Sequence, residues 1–245
     1  MKYELNPNYP QLKELIENVE THFQQSNTIL YDQRNQIRVI SFKGEEIVIK
    51  SFKVPNAINK LVYRFFRPSK AKRSYLYSLK IGKALCPEPI AYIEKGNALL
   101  LGKSYYLSKF YQYDYTIEPL LDDDDFAERE LILTEFADFT YVLHEQNILH
   151  RDYSHGNILV KNVDGKYQFK IIDVNRMQFR ELSIDDRMDN FSRLKPNDKA
   201  LEIILKQYAK RVNQPADELL AKAIKFRDDY AKQRALKNKL RGKPT

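Results

Sequence analysis

Between Ile148 and Asn157 the chain reads Ile-Leu-His-Arg-Asp-Tyr-Ser-His-Gly-Asn, which places Asp152 five residues before Asn157 and His150 two before Asp152. The apolar run Ile158-Leu159-Val160 follows, and a second run, Phe169-Lys170-Ile171-Ile172, ends at Asp173. Phosphoryl transfer asks a protein to position the nucleotide phosphates, neutralise their charge and aim an acceptor hydroxyl. Asp152 is the candidate to accept and orient the acceptor proton. Asn157 and Asp173 are the candidates to hold Mg²⁺, which takes a few hard oxygen ligands and completes its shell with phosphate and water. His150 is expected to brace the loop rather than react. An Asp-x₄-Asn pair alone is an ordinary surface loop; the preceding His, the helical lead-in and the second Asp at the end of an apolar strand make it a phosphoryl-transfer layout.

Lys50 lies in the apolar run Ile47-Val48-Ile49-Lys50. An unpartnered ammonium is costly to bury, so Lys50 is expected to contact nucleotide phosphates, with Lys53 as the competitor. From Ser51 to Pro87 there is no Asp or Glu and there are nine Lys and Arg: Lys53, Lys60, Arg64, Arg67, Lys70, Lys72, Arg73, Lys80 and Lys83. Any partner of Lys50 must therefore come from outside this stretch, with Glu88, Asp173 or nucleotide alone as the options. The one-sided charge suggests an anion-binding surface. Residues 27–45 contain one glycine, Gly44, so phosphate contacts there would fall to Arg34 or to backbone N–H groups.

The elements that must position these residues follow from periodicity. Leu12, Leu15, Ile16, Val19 and Phe23 have helical spacing and predict one amphipathic helix over 9–24. Strands are expected at Thr28–Tyr31, Gln36–Phe42 and Glu45–Phe52, the last two joined by a Lys43-Gly44 turn. A helix over 69–84 is expected to turn Ala71, Tyr75, Leu79 and Gly82 inward. Ile90–Ile93, Ala98–Leu101 and Tyr105–Lys109 read as further strands, and 126–146 as a long helix capped by the acids Asp122–Asp125. Asp164-Gly165 suits a two-residue turn between Asn157–Lys161 and Tyr167–Asp173. Helices are expected at roughly 185–193, 197–211 and 215–238. Strands first and helices after predict two lobes with a boundary near 108–116.

The 245 residues carry 41 Lys and Arg against 33 Asp and Glu, a net charge of +8, and 43% are hydrophobic. That composition supports a packed core and favours anionic partners. The single cysteine, Cys86, rules out an internal disulfide and reads as a small packing residue. No signal-peptide pattern and no run approaching the roughly 20 apolar residues of a membrane span are evident. A cytoplasmic location, or a peripheral one on the inner membrane, is expected. Residues 231–245 hold six basic side chains and no acid, a composition suited to an anionic membrane surface. A nucleic-acid partner would fit the charge but not the carboxylate layout, and none is expected.

His150-Arg-Asp-Tyr-Ser-His-Gly-Asn157, Ile172-Asp173 and Leu143-His144 resemble the protein-kinase-like superfamily. Within it, Tyr31-Asp-Gln-Arg-Asn35, Ser69-Lys-Ala-Lys-Arg-Ser-Tyr75 and Cys86-Pro-Glu-Pro-Ile-Ala-Tyr92 resemble the lipopolysaccharide kinases that act on Kdo or heptose of the inner core. The likeness runs over roughly residues 25–195. It implies an α+β, two-lobed protein-kinase-like fold: an N-terminal antiparallel-sheet lobe with one main helix over 1–109, and a mostly helical C-terminal lobe over 110–245. It implies ATP and Mg²⁺, with Asp152 as catalytic base, Asn157 and Asp173 as metal ligands and Lys50 as the ATP lysine. The acceptor it implies is lipopolysaccharide or Kdo-lipid A. Asp173 is followed by Val-Asn rather than Phe-Gly, and Ser154 and Gly156 look more like small-molecule kinases than protein kinases. The 72 residues after Asp173 contain no Ala-Pro-Glu sequence to dock a peptide. A protein kinase and a nucleotide-binding pseudokinase scaffold are the competing readings.

Overall fold

The computed structural model describes residues 1–32, 35–54, 68–96 and 101–240. They fall into two compact units. The first comprises Met1–Gln112 with Asp173–Asn175, the second Tyr113–Ile172 with Arg176–Thr245.

The first unit is built on a six-stranded antiparallel sheet, in the order β1-β5-β6-β4-β3-β2. The strands are β1 (Lys2–Leu5), β2 (Thr28–Asp32), β3 (Gln36–Phe42), β4 (Glu45–Phe52), β5 (Pro89–Gly96) and β6 (Leu101–Lys109). β3 and β4 form a tight hairpin in which Lys43 and Gly44 have φ of 50° and 79°. Two successive left-handed residues give the turn whose twist matches that of the flanking strands. β6 runs unbroken from Leu101, where the sequence suggested separate strands at 98–101 and 105–109; residues 97–100 lie outside the described residues. β1 was not expected, because four residues, three of them exposed, are too short a run to read as a strand.

Alternation along β4 sends Ile47 and Ile49 to one face and Lys50 and Phe52 to the other. The first face packs with Leu12, Leu15, Ile16, Val19 and Phe23. Those residues do not form the single helix expected. A 3₁₀ turn, Pro10–Leu12, leads into α1 (Lys13–Glu17), and α2 (Val19–Gln25) follows after a break at Asn18. Asn18 has φ −110° and ψ 24°, and its side-chain amide donates to the Glu14 carbonyl at 3.2 Å. A short polar side chain competing for the backbone ends the helix there, and both pieces keep their apolar residues on the sheet.

On the opposite face Phe52 and Tyr92 cluster with Ala71 and Tyr75 of α3 (Lys70–Ile81). Ser69 caps α3 by accepting from the Lys72 N–H at 3.0 Å, and Gly82, at φ 87°, ends it. Leu79 does not face inward as expected; it is 45% exposed. Ser78 takes the buried place, its hydroxyl 2.8 Å from that of Tyr106. Cys86 is buried, as its packing role requires.

The second unit is mostly helical. Its helices are α4 (Glu118–Asp122), α5 (Arg129–Glu145), α6 (Ile184–Ser192), α7 (Asp198–Val212) and α8 (Ala216–Leu240). The strands β7 (Tyr115–Thr116), β9 (Ile158–Val163) and β10 (Lys166–Ile171) make one small sheet, and β8 (Ile148–His150) pairs with β11 (Met177–Phe179). Asp164 and Gly165, at φ 53° and 81°, make the turn between β9 and β10. β10 ends at Ile171, which leaves Asp173 beyond the strand. Among the described residues no helix is long and apolar enough to cross a membrane.

The acids at 122–125 do not cap α5. The helix starts later, its N-cap is Glu128 at φ 55°, and no side chain caps it. Asp124 instead receives Arg129 at 3.0 Å. Arg129 is buried, and it also donates to the Leu120 carbonyl at 2.8 Å and to Asn197 Oδ1 at 3.1 Å. Asn197 in turn caps α7 through the Ala200 N–H. One guanidinium thus clamps α4, α5 and the start of α7, with all its contacts charge-assisted or buried. Removing it strands those acceptors: Arg129→Ala should cost about 3 kcal/mol, read as a lowered urea midpoint. A change under about 0.5 kcal/mol would show that the clamp carries no stability.

Candidate active site

In the first unit, Lys50 Nζ lies 2.7 Å from Asp173 Oδ1, with the lysine side chain 12% exposed. The ammonium also stands over the Phe52 ring, 5.4 Å from its centroid. Of the partners left open by the sequence, Asp173 is the one found; Glu88 accepts a hydrogen bond from the Tyr9 hydroxyl instead. Lys53 is exposed, its backbone N–H held by Asn35 at 3.5 Å, so it does not compete for the position. Asp173 sits at φ 56°, a left-handed conformation that Asp tolerates better than most residues. The Asn175 side-chain amide donates to the same Oδ1. Arg34 and, of the nine basic residues of 51–87, Lys60, Arg64 and Arg67 lie outside the described residues.

In the second unit, the loop after β8 carries Asp152 and Asn157. Asn157 Nδ2 donates to the Asp152 carbonyl at 2.8 Å and to Ser154 Oγ at 3.1 Å. With its NH₂ group engaged twice, Asn157 has its amide oxygen, a hard donor, as its remaining side-chain polar atom. That suits Mg²⁺, as does the carboxylate of Asp173, since this ion needs only one or two protein oxygens besides phosphate and water. The loop is tied further by Ser154 N–H to the Asp152 carbonyl and Asn157 N–H to the Ser154 carbonyl, at 2.8 and 2.9 Å. The Asp152 carboxylate stays 44% exposed, with Arg176 Nη1 at 3.6 Å. His155 Nδ1 is 3.3 Å from Glu118.

His150 holds this loop from inside. It is 1% exposed. Its Nδ1 accepts from the Asp152 N–H at 3.1 Å, and its Nε2 faces the Ile172 carbonyl at 2.9 Å. A carbonyl can only accept, so the proton is on Nε2 and the ring is neutral. Ile172 N–H bonds in turn to the Asn157 carbonyl at 2.9 Å, so the residue preceding Asp173 is anchored to the same loop.

Residues that sequence reasoning missed complete the support. Asn190 of α6 donates to the His150 carbonyl at 2.9 Å and accepts from His144 Nε2 at 3.1 Å. His144 Nδ1 then accepts from the Tyr208 hydroxyl at 2.7 Å. Tyr153, fully buried, bonds Thr140 at 2.8 Å and stacks on Phe136. Asn190 had no local signal: a polar residue on an amphipathic helix reads as solvent-facing. Tyr153 was readable only as part of the motif.

No protein-family model and no curated protein sequence matches the chain. Among solved structures it is similar to WaaP in complex with acyl carrier protein. The TM-score is 0.61 at 16% identity, over 95% of this chain and 99% of that one. The kinase domain of Mycobacterium tuberculosis PknI aligns at TM-score 0.44 and 13% identity, over 73% of this chain and 71% of that one. The likeness to WaaP shows that the chain shares that protein's α+β fold.

Burial holds the pKa of His144 down, to about 4, against the hydrogen bond to Asn190 that works to raise it. The unfolded chain takes up the proton that the native ring refuses, so this group's contribution is present above pH 6.5 and is lost as pH falls toward 4. From pH 7 to pH 5 the loss should be about 2 kcal/mol. Urea unfolding at the two pH values measures it, and His144→Gln should remove that part of the difference. An equal pH dependence in the variant would show that His144 is not the titrating group.

Proposed function

We propose that the chain is an ATP- and Mg²⁺-dependent phosphotransferase that phosphorylates a sugar hydroxyl, of Kdo or heptose, in the lipopolysaccharide inner core. The observation that carries this reading is the loop from His150 to Asn157. Its backbone is tied at Ser154 and Asn157 and its buried His150 and Tyr153 side chains are hydrogen-bonded, while the exposed Asp152 carboxylate and the Asn157 amide oxygen are the groups offered to reactants. Lys50, already matched to an anion at Asp173, is suited to nucleotide phosphates. The WaaP-like fold and the resemblance of the motifs to lipopolysaccharide kinases support the acceptor class.

In this reading Asp152 accepts and orients the acceptor hydroxyl proton, a contribution of about 10²–10⁴-fold. Asn157 Oδ1 and the Asp173 carboxylate would hold the Mg²⁺, which when bound neutralises phosphate charge. Lys50 would leave Asp173 or share it to meet the phosphates, and the buried His150 keeps Asp152 aimed throughout. The protein would work at the cytoplasmic face of the inner membrane. Residues 231–240 of α8, nearly all exposed and without an acid, suit contact with anionic lipid at about 1 kcal/mol per basic residue near the surface.

Purified protein with Mg-ATP should phosphorylate Kdo-lipid A or a heptose-containing core oligosaccharide, detected by mass spectrometry. Asp152→Asn, which keeps the shape of the side chain, should lower turnover by about 10²-fold or more. No transfer to either acceptor sinks the reading, and thermal stabilisation by Mg-ATP without transfer to any acceptor favours the pseudokinase. Near-normal turnover in Asp152→Asn removes that residue's role. Deleting 231–245 should weaken sedimentation with vesicles containing anionic phospholipid; unchanged sedimentation refutes the membrane contact.

A further inference from the structure

We infer that Arg176 selects an acceptor sugar that carries a carboxylate, and that this carboxylate draws Arg176 off Asp152. The inference rests on the phosphotransferase reading and names the acceptor's charge.

Arg176 is mounted rigidly but left free at its tip. Its chain neighbours Val174, Asn175 and Met177 are 3%, 5% and 5% exposed, whereas the Arg176 side chain is 59% exposed. Met177 pairs with His150 across β8 and β11, so the backbone at Arg176 is fixed against the strand that leads into the loop. The guanidinium reaches Asp152 Oδ2 at 3.6 Å, with that carboxylate 44% exposed. An ion pair this long and this exposed contributes little to stability, so it is readily exchanged.

The exchange has a chemical purpose. A guanidinium is permanently charged, and it occupies the Asp152 carboxylate that would otherwise meet the acceptor hydroxyl. A substrate carboxylate is the same kind of partner as the one Arg176 already holds, and can take it in a two-pronged contact. Its arrival satisfies the arginine and releases Asp152 toward the neighbouring hydroxyl. A neutral sugar leaves the pair in place. On this account acid sugars are accepted and neutral ones such as heptose are disfavoured.

The test uses soluble Kdo and its methyl ester, which lacks the charge but keeps every hydroxyl. Binding is measured by calorimetry or ligand-observed NMR on the full chain. The wild type should bind Kdo about ten-fold more tightly than the ester. Arg176→Gln should abolish that preference, Arg176→Lys should keep part of it, and neither should alter ATP affinity or thermal midpoint. Equal affinity of the wild type for acid and ester overturns the inference. So does a preference that survives Arg176→Gln, or a loss of ATP affinity in its place. Phosphate transfer is scored separately. Transfer without a charge preference sinks Arg176 and spares the phosphotransferase reading; an Arg176-dependent preference without transfer to any acceptor does the reverse.

Discussion

A neutral imidazole buried at His150 is the constraint from which the candidate site follows. Both of its nitrogens are engaged, one by the Asp152 N–H and one by the Ile172 carbonyl. A charged ring could not accept from the Asp152 N–H, and a ring turned over would present carbon to both partners. An unsatisfied buried polar group costs about 1–3 kcal/mol, so the loop's register is strongly specified. The same ring thereby fixes the start of the Asp152–Asn157 segment and the residue before Asp173. Behind it, Asn190, His144 and Tyr208 extend the chain of hydrogen bonds into the helical unit. Each member is oriented by the next, which is how a buried polar network holds one arrangement instead of several.

Two largely buried cations in this protein find their carboxylate outside their own secondary-structure element. The stretch around α3 offers Lys50 no acid, and the ammonium finds Asp173 instead. Arg129 likewise is not neutralised within its own helix. It reaches Asp124, Leu120 and Asn197, and so turns an acidic run that resembles a helix cap into a clamp between helices. In both cases a cation that is costly to bury is placed where one carboxylate and a neutral acceptor or aromatic face meet it.

The loop separates the groups that hold from those that can react. His150 and Tyr153 are buried and fully engaged. Asp152 and Arg176 are fixed at the backbone and open at the tip. Asn157 ties the loop through its NH₂ group. Such an arrangement lets a charged tip exchange partners without disturbing the fold beneath it.

Much of this was legible in the chain. The β3–β4 and β9–β10 hairpins followed from Lys43-Gly44 and Asp164-Gly165, because left-handed turns demand particular residues. Helix α5 followed from apolar periodicity, which burial enforces locally, and the three C-terminal helices lie close to the ranges expected. The loop that holds Asp152 and Asn157 by short hydrogen bonds was marked by spacing, because a tight loop fixes reach by residue count. What the chain left open depended on side-chain hydrogen bonds and ion pairs, local and distant, that periodicity does not show. One helix over 9–24 became two at Asn18, Leu79 gave its inward place to Ser78, and Asp124 of the acidic run became the partner of Arg129 and Lys199. Composition limited Lys50 to Glu88, Asp173 or nucleotide, and only the tertiary structure chose Asp173. The sequence by itself determined which groups could do chemistry. The tertiary structure decided which of them are held and which are free, because hydrogen bonds and ion pairs depend on distances that chain order does not encode.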